Sequence, residues 1–272
     1  MFDGKKIRDE ILSDLAKKAG KMERQPSMAV FLIGHNPVCE KYVELKKKLA
    51  EKTGINFCLY KFEGDESEDE IIECIKFMNA DSETDGIMIQ IPVPDNYNRQ
   101  KLIEAISPKK DTDGLRYCLG LDSEFRPPVV LAIMEALERA ELGISNYELG
   151  DKKVIILGKG FLVGAPLARV LEEKKIEPVV IDRTDQNNPN TLSLIHNSDI
   201  IISATGKAGI IKPEMVKEGV VLIDAGTAEE NGELKGDIDL AAYSKSSYYT
   251  PVPGGIGPVT VAMLFRNLIG GN

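Results

Sequence analysis

The sequence has few of the side chains that metal centres and histidine-dependent catalysts need. Its two histidines are His35 and His196, so a multi-histidine metal site and a Ser-His-Asp triad are nearly excluded. The four cysteines form no close pair with metal-ligand spacing; they are Cys39, Cys58, Cys74 and Cys118. We therefore expect no catalytic metal.

The chain also lacks a long apolar run and an excess of positive charge. No segment resembles a signal peptide or a membrane span, and the cysteine usage suits a reducing compartment, so we expect a cytoplasmic protein. A net charge of −9 and a pI near 5.0 argue against a general nucleic-acid or membrane surface, although a local basic pocket for a phosphate remains open. The 272 residues permit one large or two modest domains, and small molecules are the expected partners.

One lysine and one tyrosine share a predicted helix face in the first half of the chain. The apolar run Met28 to Ile33 predicts a strand, Gly34 to Pro37 breaks it, and a helix follows. Its expected apolar stripe is Val38, Tyr42, Leu45 and Leu49. Lys46 lies one turn after Tyr42, within roughly 40° around the helix axis. Partial desolvation there would lower the pKa of Lys46 toward a range useful for acid-base chemistry, although such a pair often only packs.

Two polar side chains follow apolar segments farther along. The stretch Asp85 to Pro94 predicts an apolar strand ended by Pro92 and Pro94, and Gln90 is its first polar side chain after three large apolar residues. Ligand contacts often lie at such strand ends, but Gln90 could equally begin a surface loop. Asp113 lies beside a glycine, which is typical of a turn. Its carboxylate could alternatively accept two parallel hydrogen bonds from a heterocycle.

The second half predicts a parallel dinucleotide-binding unit. The strand Lys153 to Leu157 runs into a glycine-rich loop and a helix whose N-terminal N–H groups would face an anion. Its G-x-G-x-x-x-G spacing is one residue longer than the common fingerprint. Further strands are predicted at Pro178 to Asp182, Asp199 to Ser203 and Val220 to Asp224. Asp182 favours a free ribose 2′-hydroxyl, whereas Arg183 and Lys159 favour a 2′-phosphate, so NAD and NADP both remain open.

A Pro-Gly-rich segment, Thr250 to Pro258, precedes an apolar helix that runs through Leu268. Alternating Pro and Gly predicts a shaped loop, which could hold a cofactor or serve only as a hinge. Asp224 and Asp237 are more readily explained as loop and capping residues than as catalytic ones.

Five motifs follow one another along the chain. They are Tyr42-x-x-x-Lys46, Asp85-Gly86-Ile87-x-x-Gln90-x-Pro92-x-Pro94, Pro108-x-Lys110-Asp111-x-Asp113-Gly114, Gly158-x-Gly160-x-x-Val163-Gly164-x-Pro166 and Thr250-Pro251-Val252-Pro253-Gly254-Gly255-Ile256-Gly257-Pro258. In this order and spacing they resemble the bifunctional methylenetetrahydrofolate dehydrogenase/methenyltetrahydrofolate cyclohydrolase family. The Thr250 to Pro258 segment is the most specific of them, and the resemblance spans almost the whole chain from Phe2.

The resemblance implies an oxidation of 5,10-methylenetetrahydrofolate, with NADP favoured over NAD, and a hydrolysis to 10-formyltetrahydrofolate. Lys46 matches the family's catalytic lysine, Tyr42 the tyrosine that orients it and stacks near the folate, Gln90 the glutamine at the reacting end, and Asp113 the carboxylate that grips the pterin. Further expected substrate contacts are Pro92, Pro253, Gly254 and Gly255. The expected cofactor contacts are Gly158, Lys159, Gly160, Val163, Gly164, Asp182, Arg183, Thr184, Ala204, Thr205, Gly206, Gly226, Thr227 and Gly255.

The resemblance also implies a two-domain α/β fold. A folate-binding catalytic domain would comprise 1–126 and 258–272, with the final helix returning to it, and a Rossmann NAD(P)-binding domain would comprise 127–257. The active site is expected in the cleft between them, in a homodimer paired through the Rossmann domains.

Three other functions remain open, and a few positions depart from the family pattern. A dehydrogenase without the hydrolytic step would keep the fold, but Lys46 is retained. A shikimate-type dehydrogenase would lack the Thr250 to Pro258 segment, and a non-enzymatic dinucleotide sensor would not need the polar quartet. The departures are Cys39, Lys159, Gly160, Pro127 to Val130 and the loop from Leu115 to Gly120.

Overall fold

The computed structural model describes residues 1–140, 152–182, 188–230 and 232–270. The helices are α1 (Gly4–Ala19), α2 (Pro37–Thr53), α3 (Glu68–Ala80), α4 (Arg99–Glu104), α5 (Leu115–Cys118), α6 (Pro128–Arg139), α7 (Gly164–Glu173), α8 (Pro189–His196) and α9 (Ile256–Gly270). The strands are β1 (Ser27–Ile33), β2 (Asn56–Phe62), β3 (Gly86–Ile89), β4 (Val154–Leu157), β5 (Val179–Ile181), β6 (Ile200–Ser203), β7 (Val220–Asp224), β8 (Ala228–Glu230), β9 (Glu233–Lys235) and β10 (Ser246–Tyr249). Short 3-10 helices cover Pro213–Met215 and Leu240–Lys245.

Contacts divide the chain into two units. The N-terminal unit comprises Asp9–Pro128 and the chain from Val261 onward. The C-terminal unit comprises Met1–Arg8 and Val129–Thr260. The chain's first eight residues therefore have their contacts with the C-terminal unit. The domain limits expected from the sequence stay a prediction.

The N-terminal unit is built on a three-stranded parallel sheet in the order β2-β1-β3. Every residue of the central strand β1 is buried, as expected for a parallel strand covered on both faces. Because all three strands run in the same direction, their carboxyl ends meet at one edge, where the chain leaves β3 at Gln90. The predicted strands in this half are confirmed.

Helix α2 leaves that same edge. The Asn36 side chain accepts hydrogen bonds from the N–H groups of Val38 and Cys39, Pro37 opens the helix, and Gly54 ends it in a left-handed conformation. The predicted helix is confirmed, but its predicted apolar stripe is wrong. Val38, Tyr42 and Leu45 are exposed, whereas the buried residues are Cys39, Val43, Leu49, Ala50 and Thr53.

The last helix belongs to the core of the N-terminal unit from Val261 onward. Val261, Leu264 and Phe265 pack in one cluster with Leu12 and Leu15 of α1 and with β1. The expectation that the C-terminal helix returns to the first half of the chain is confirmed.

The C-terminal unit has a five-stranded parallel sheet in the order β10-β7-β6-β4-β5. The chain moves from β4 to the edge strand β5 and then back across β4 to β6, which places a topological switch point at the carboxyl end of β4. The predicted strands and the predicted parallel α/β fold are confirmed. Strands β8 and β9 pair antiparallel as a separate two-stranded sheet.

The described helices include none that is both long enough and apolar enough to cross a membrane. Arg183 and Thr184 lie outside the described residues.

Candidate active site

A lysine and a glutamine meet at the carboxyl edge of the first sheet. The Lys46 Nζ donates a hydrogen bond to Gln90 Oε1 at 3.0 Å and contacts Met88 Sδ at 3.3 Å. Gln90 is buried, and its Nε2 donates to the carbonyl of Ile91 at 2.9 Å. The amide therefore has a fixed orientation, with its oxygen aimed at the lysine. Gln90 is not the start of a surface loop.

The position of Lys46 on α2 explains its chemistry. The buried face of α2 repeats at Cys39, Val43, Ala50 and Thr53, and Lys46 occupies the empty place in that spacing. Burial of the amino group lowers the pKa of Lys46, and the carboxylate of Asp113 opposes that effect. A lysine of lowered pKa exchanges protons more readily near neutral pH than an exposed lysine does.

Asp113 lies in a turn that other side chains hold. The buried carboxylate of Asp111 accepts hydrogen bonds from the N–H groups of Leu115 and Arg116, at 3.0 and 2.8 Å, and from Ser123 Oγ at 3.0 Å. Burial raises the pKa of Asp113, and the positive charge of Lys46 counteracts the rise. Lys46 and Asp113 are thus electrostatically coupled.

The same turn is tied to the last helix. Asn267 of α9 is buried, and its Nδ2 donates to the carbonyl of Thr112 at 2.8 Å and to that of Arg126 at 3.0 Å. Sequence patterns do not point to Asn267, because its partner Thr112 lies 155 positions earlier in the chain. The available signal was an asparagine inside a mostly apolar helix.

Tyr42 and Pro92 are exposed near this group. Tyr42, 44% exposed, lies one helical turn before Lys46. Its ring is therefore available to a ligand instead of filling the core. Pro92 follows a cis peptide bond after Ile91, and its carbonyl accepts a hydrogen bond from Cys39 Sγ at 3.8 Å.

The glycine-rich loop lies at the carboxyl end of β4. Gly158 has a φ of +100°, and a Cβ there would come within 2.5 Å of the Ala204 carbonyl oxygen. A Cβ at Gly164 would overlap the Gly158 carbonyl. Both glycines are therefore required for the loop to pass so close to the neighbouring backbone. Val163 precedes α7, and Lys159 and Gly160 are exposed in the loop. This backbone arrangement fits the phosphates of a dinucleotide, which bind at such a helix N-terminus.

Other predicted cofactor contacts lie at the same edge of this sheet. Ala204, Thr205 and Gly206 follow β6. Gly226 and Thr227 follow β7, and half-buried Asp182 follows β5. The fold therefore brings these residues to the strand ends where a Rossmann sheet binds its ligand.

The Thr250 to Pro258 segment is packed against the chain's first residues, within the C-terminal unit. The N–H of Gly4 donates to the Gly254 carbonyl at 2.9 Å, and that of Phe2 donates to the Tyr249 carbonyl at 2.9 Å. Gly254 has a φ of +106°, Gly255 is buried, and Pro253 is exposed after a cis peptide bond. The segment is thus hydrogen-bonded to the start of the chain through Gly254, and α9 begins within it at Ile256.

Two buried aspartates organise the loops around these positions. Asp224 and Asp237 are both fully buried and accept hydrogen bonds from loop N–H groups. Burial raises the pKa of Asp224 to about 7. Within the described ranges, no group of three or more His, Cys, Asp or Glu side chains is arranged to hold a metal ion.

Comparison with known families matches nearly the whole chain. The model "Tetrahydrofolate dehydrogenase/cyclohydrolase, catalytic domain" matches residues 2–113, and "Tetrahydrofolate dehydrogenase/cyclohydrolase, NAD(P)-binding domain" matches 127–271. The bifunctional protein FolD of Bacillus licheniformis is 37% identical, over 99% of this chain and 95% of that protein. The bifunctional protein FolD of Bacillus subtilis is 36% identical, over 99% and 96%.

Solved structures of the same family resemble this one. The bifunctional FolD methylenetetrahydrofolate dehydrogenase/cyclohydrolase of Campylobacter jejuni superposes with a TM-score of 0.90 at 32% identity, covering 98% of this chain and 96% of that one. The FolD enzyme of Trypanosoma brucei, complexed with NADP and an inhibitor, gives a TM-score of 0.88 at 26% identity, covering 98% and 95%. The chain belongs to the tetrahydrofolate dehydrogenase/cyclohydrolase family.

Proposed function

We propose that this protein oxidises 5,10-methylenetetrahydrofolate to the 5,10-methenyl compound, with NADP as the hydride acceptor, and then hydrolyses the product to 10-formyltetrahydrofolate. The observation that carries the proposal is the Lys46 amino group, held at 3.0 Å from the Gln90 amide at the carboxyl edge of a parallel sheet. Family membership supplies the substrate class, and this pair supplies a group suited to the hydrolytic step.

Hydrolysis needs protons to move at two places. Water adds to the cationic methenyl carbon and loses one proton, which leaves a hydroxyl on that carbon. The hydroxyl loses its proton as the formyl C=O forms, and a ring nitrogen gains a proton as its carbon–nitrogen bond breaks, so one proton is released overall. Lys46 is suited to transfer these protons because burial lowers its pKa. Gln90 orients the amino group, and its own orientation is fixed by the hydrogen bond to Ile91.

Folate binding is assigned to the residues around this pair. Asp113 can accept two parallel hydrogen bonds from the pterin's ring N–H and amino groups. The exposed ring of Tyr42 can stack on the substrate one turn from Lys46. Pro92, Pro253, Gly254 and Gly255 are proposed as further contacts, and the predicted interdomain cleft stays part of this proposal.

The dinucleotide is assigned to the glycine-rich loop and the strand ends of the C-terminal sheet. When bound, it accepts the hydride from the methylene carbon. Exposed Lys159 is available to a 2′-phosphate, and the similar Trypanosoma brucei enzyme was solved with NADP. Half-buried Asp182 would instead favour the free hydroxyl of NAD. NADP is therefore the proposed cofactor.

We also propose a cytoplasmic homodimer, paired through the Rossmann domains, and domain limits of 1–126 with 258–272 and 127–257. These statements rest on the resemblance to the family.

Separate assays of the two steps test the proposal. Purified protein with 5,10-methylenetetrahydrofolate should reduce NADP with a higher kcat/KM than NAD, and it should accelerate loss of added methenyl compound. Comparable kcat/KM values for both cofactors would contradict the NADP preference. Reduction without accelerated hydrolysis would indicate a dehydrogenase alone, and cofactor binding with neither activity would indicate a sensor.

A further inference from the structure

The carboxylate of Asp237 lies at the centre of the turn that follows β6. Its Oδ2 accepts hydrogen bonds from Ser203 Oγ at 2.7 Å, from the Thr205 N–H at 2.6 Å and from Thr205 Oγ1 at 2.9 Å. Its Oδ1 accepts one from the Lys207 N–H at 3.0 Å. The side chain is fully buried. One carboxylate thus fixes the backbone on both sides of Gly206.

A second carboxylate holds Asp237 in place. Asp224, the last residue of β7, accepts hydrogen bonds from the N–H groups of Asp237 at 3.1 Å and Ile238 at 2.9 Å. It also accepts one from Gly226 at 3.1 Å. Thr250 Oγ1 accepts a hydrogen bond from the Asp224 N–H at 2.7 Å. The loops after β6 and β7 are therefore connected through two buried carboxylates, and the Thr250 hydroxyl joins the start of the Pro-Gly-rich segment to the backbone of Asp224.

Two glycines provide the space for these carboxylates. A Cβ at Gly226 would overlap the Asp237 carboxylate, and a Cβ at Gly236 would overlap that of Asp224. The backbone therefore passes directly over both groups, and a side chain at either position would displace them. This close packing is independent support for a fixed hydrogen-bond network around Asp224 and Asp237.

The donors that surround Asp237 are neutral hydroxyl and backbone N–H groups. Burying a charge is costly unless hydrogen bonds compensate for it, and bonds to an ionised carboxylate are shorter and stronger than neutral ones. Because Ser203, Thr205 and Lys207 all donate to this group, their turn has one favoured conformation. The turn contains Ala204, Thr205 and Gly206, which are proposed cofactor contacts.

We propose that Asp237 is a positioning residue for dinucleotide binding, with Asp224 holding it in place. Asp237 itself contacts the turn and acts through it. This inference rests on the proposed function, since it requires that the Ala204 to Gly206 turn bind the dinucleotide. It assigns a role to a residue that the sequence pattern explained only as part of a loop.

The test compares Asp237→Asn with Asp239→Asn in the full-length protein. The Asp237→Asn substitution replaces one carboxylate oxygen with an amide N–H that faces donor groups, so the turn would lose its favoured conformation. Asp239 is two positions away, pairs with Lys212 at 2.9 Å and caps the following 3-10 helix, a role that asparagine also performs. We expect the Kd for NADP, measured without folate, to rise about tenfold or more in Asp237→Asn, which corresponds to about 1.4 kcal/mol, and to stay unchanged in Asp239→Asn.

Hydrolysis of the methenyl compound without dinucleotide distinguishes positioning from unfolding. We expect Asp237→Asn to keep this activity and to raise the KM for NADP more than it lowers kcat. If Asp237→Asn does not fold, Ser203→Ala replaces it in the test, because it removes one donor to Asp237 and should still raise the Kd for NADP severalfold. A folded variant whose Kd for NADP equals that of the unaltered protein overturns the positioning role of Asp237 and leaves the proposed function standing. If the unaltered protein binds neither NADP nor NAD, the proposed function fails and the inference fails with it.

Discussion

At the scale of single residues, the notable feature is a lysine on the buried face of a helix. Lys46 takes a place in the spacing of α2 that an apolar residue would normally fill. Its amino group donates a hydrogen bond to the Gln90 amide oxygen, and the Asp113 carboxylate favours its positive charge. A lysine retained at such a site, with its pKa lowered, is better explained by chemistry than by stability.

Replacing Lys46 should remove the hydrolytic step. General acid-base catalysis typically contributes about a hundredfold or more, so Lys46→Met should slow methenyl hydrolysis by about that factor. Lys47→Met is the matched control, because Lys47 is adjacent in sequence but exposed. Both rates are measured as loss of methenyl absorbance. Unchanged hydrolysis in Lys46→Met would contradict the assignment.

Removing the charge of Asp113 should shift the pH profile. The Asp113 carboxylate favours the protonated amino group and so raises the pKa of Lys46. In Asp113→Asn that effect is lost, and the pKa of Lys46 should fall further. The inflection that Lys46 gives to the rate of methenyl hydrolysis should therefore move to lower pH. Asp95→Asn, at an exposed position after β3, should leave it in place. A shift to higher pH would contradict the coupling.

The sequence predicted the helix that carries Tyr42 and Lys46 but not which of its faces is buried. Helical spacing placed Tyr42 and Lys46 on one face, and the structure has a continuous helix there. The same spacing wrongly assigned Val38, Tyr42 and Leu45 to the core. Helix α2 has apolar residues on two faces, so its sequence does not reveal which face packs against the sheet. The folded structure buries the face of Cys39 and Val43, and Lys46 therefore lies nearer the middle of the buried face than expected.

At the scale of elements, the glycine-rich loop is shaped by backbone packing. A Cβ at Gly164 would overlap the Gly158 carbonyl, so Gly164→Ala should displace the loop from β4 and the start of α7. We expect the KM for the dinucleotide to rise about tenfold or more, equivalent to about 1.4 kcal/mol or more. Gly257→Ala is the control, because a Cβ there meets nothing within 4 Å. An unchanged KM in Gly164→Ala would show that the loop does not bind the dinucleotide.

The last helix stabilises the turn of Asp113. Asn267→Leu would leave the carbonyls of Thr112 and Arg126 without their donor, and an unsatisfied buried polar group costs about 1–3 kcal/mol. We expect the free energy of unfolding to fall by about 2 kcal/mol and the KM for the folate to rise. Urea unfolding and steady-state kinetics measure the two effects. Asn190→Ala, at an exposed position on α8, is the control. Equal stability of Asn267→Leu and that control would show that the hydrogen bonds of Asn267 do not stabilise the fold.

Strand periodicity and the glycine loop predicted most of the elements, because these signals are local. Asn267 and Asp237 could not be predicted in the same way, since their partners lie far along the chain. Asn267 reaches Thr112 across 155 positions, and Asp237 reaches Ser203 across 34. Only the folded sheets bring such residues together. The local pattern therefore identifies candidate ligand contacts more readily than the residues that position them.

At the scale of the whole molecule, two parallel sheets each gather polar side chains at their carboxyl ends. The N-terminal sheet presents the Lys46–Gln90 pair, and the C-terminal sheet presents the glycine loop and the turns held by Asp224 and Asp237. Full-length similarity to bifunctional FolD proteins matches both units. One chain is therefore expected to perform both steps.

The most direct test follows a single reaction to its end. Purified protein is mixed with 5,10-methylenetetrahydrofolate and NADP, and reduced cofactor, methenyl compound and 10-formyltetrahydrofolate are quantified over time. We expect 10-formyltetrahydrofolate to appear faster than the uncatalysed hydrolysis allows and to approach the amount of reduced cofactor. Accumulation of the methenyl compound, with its loss no faster than in buffer, would contradict a bifunctional enzyme.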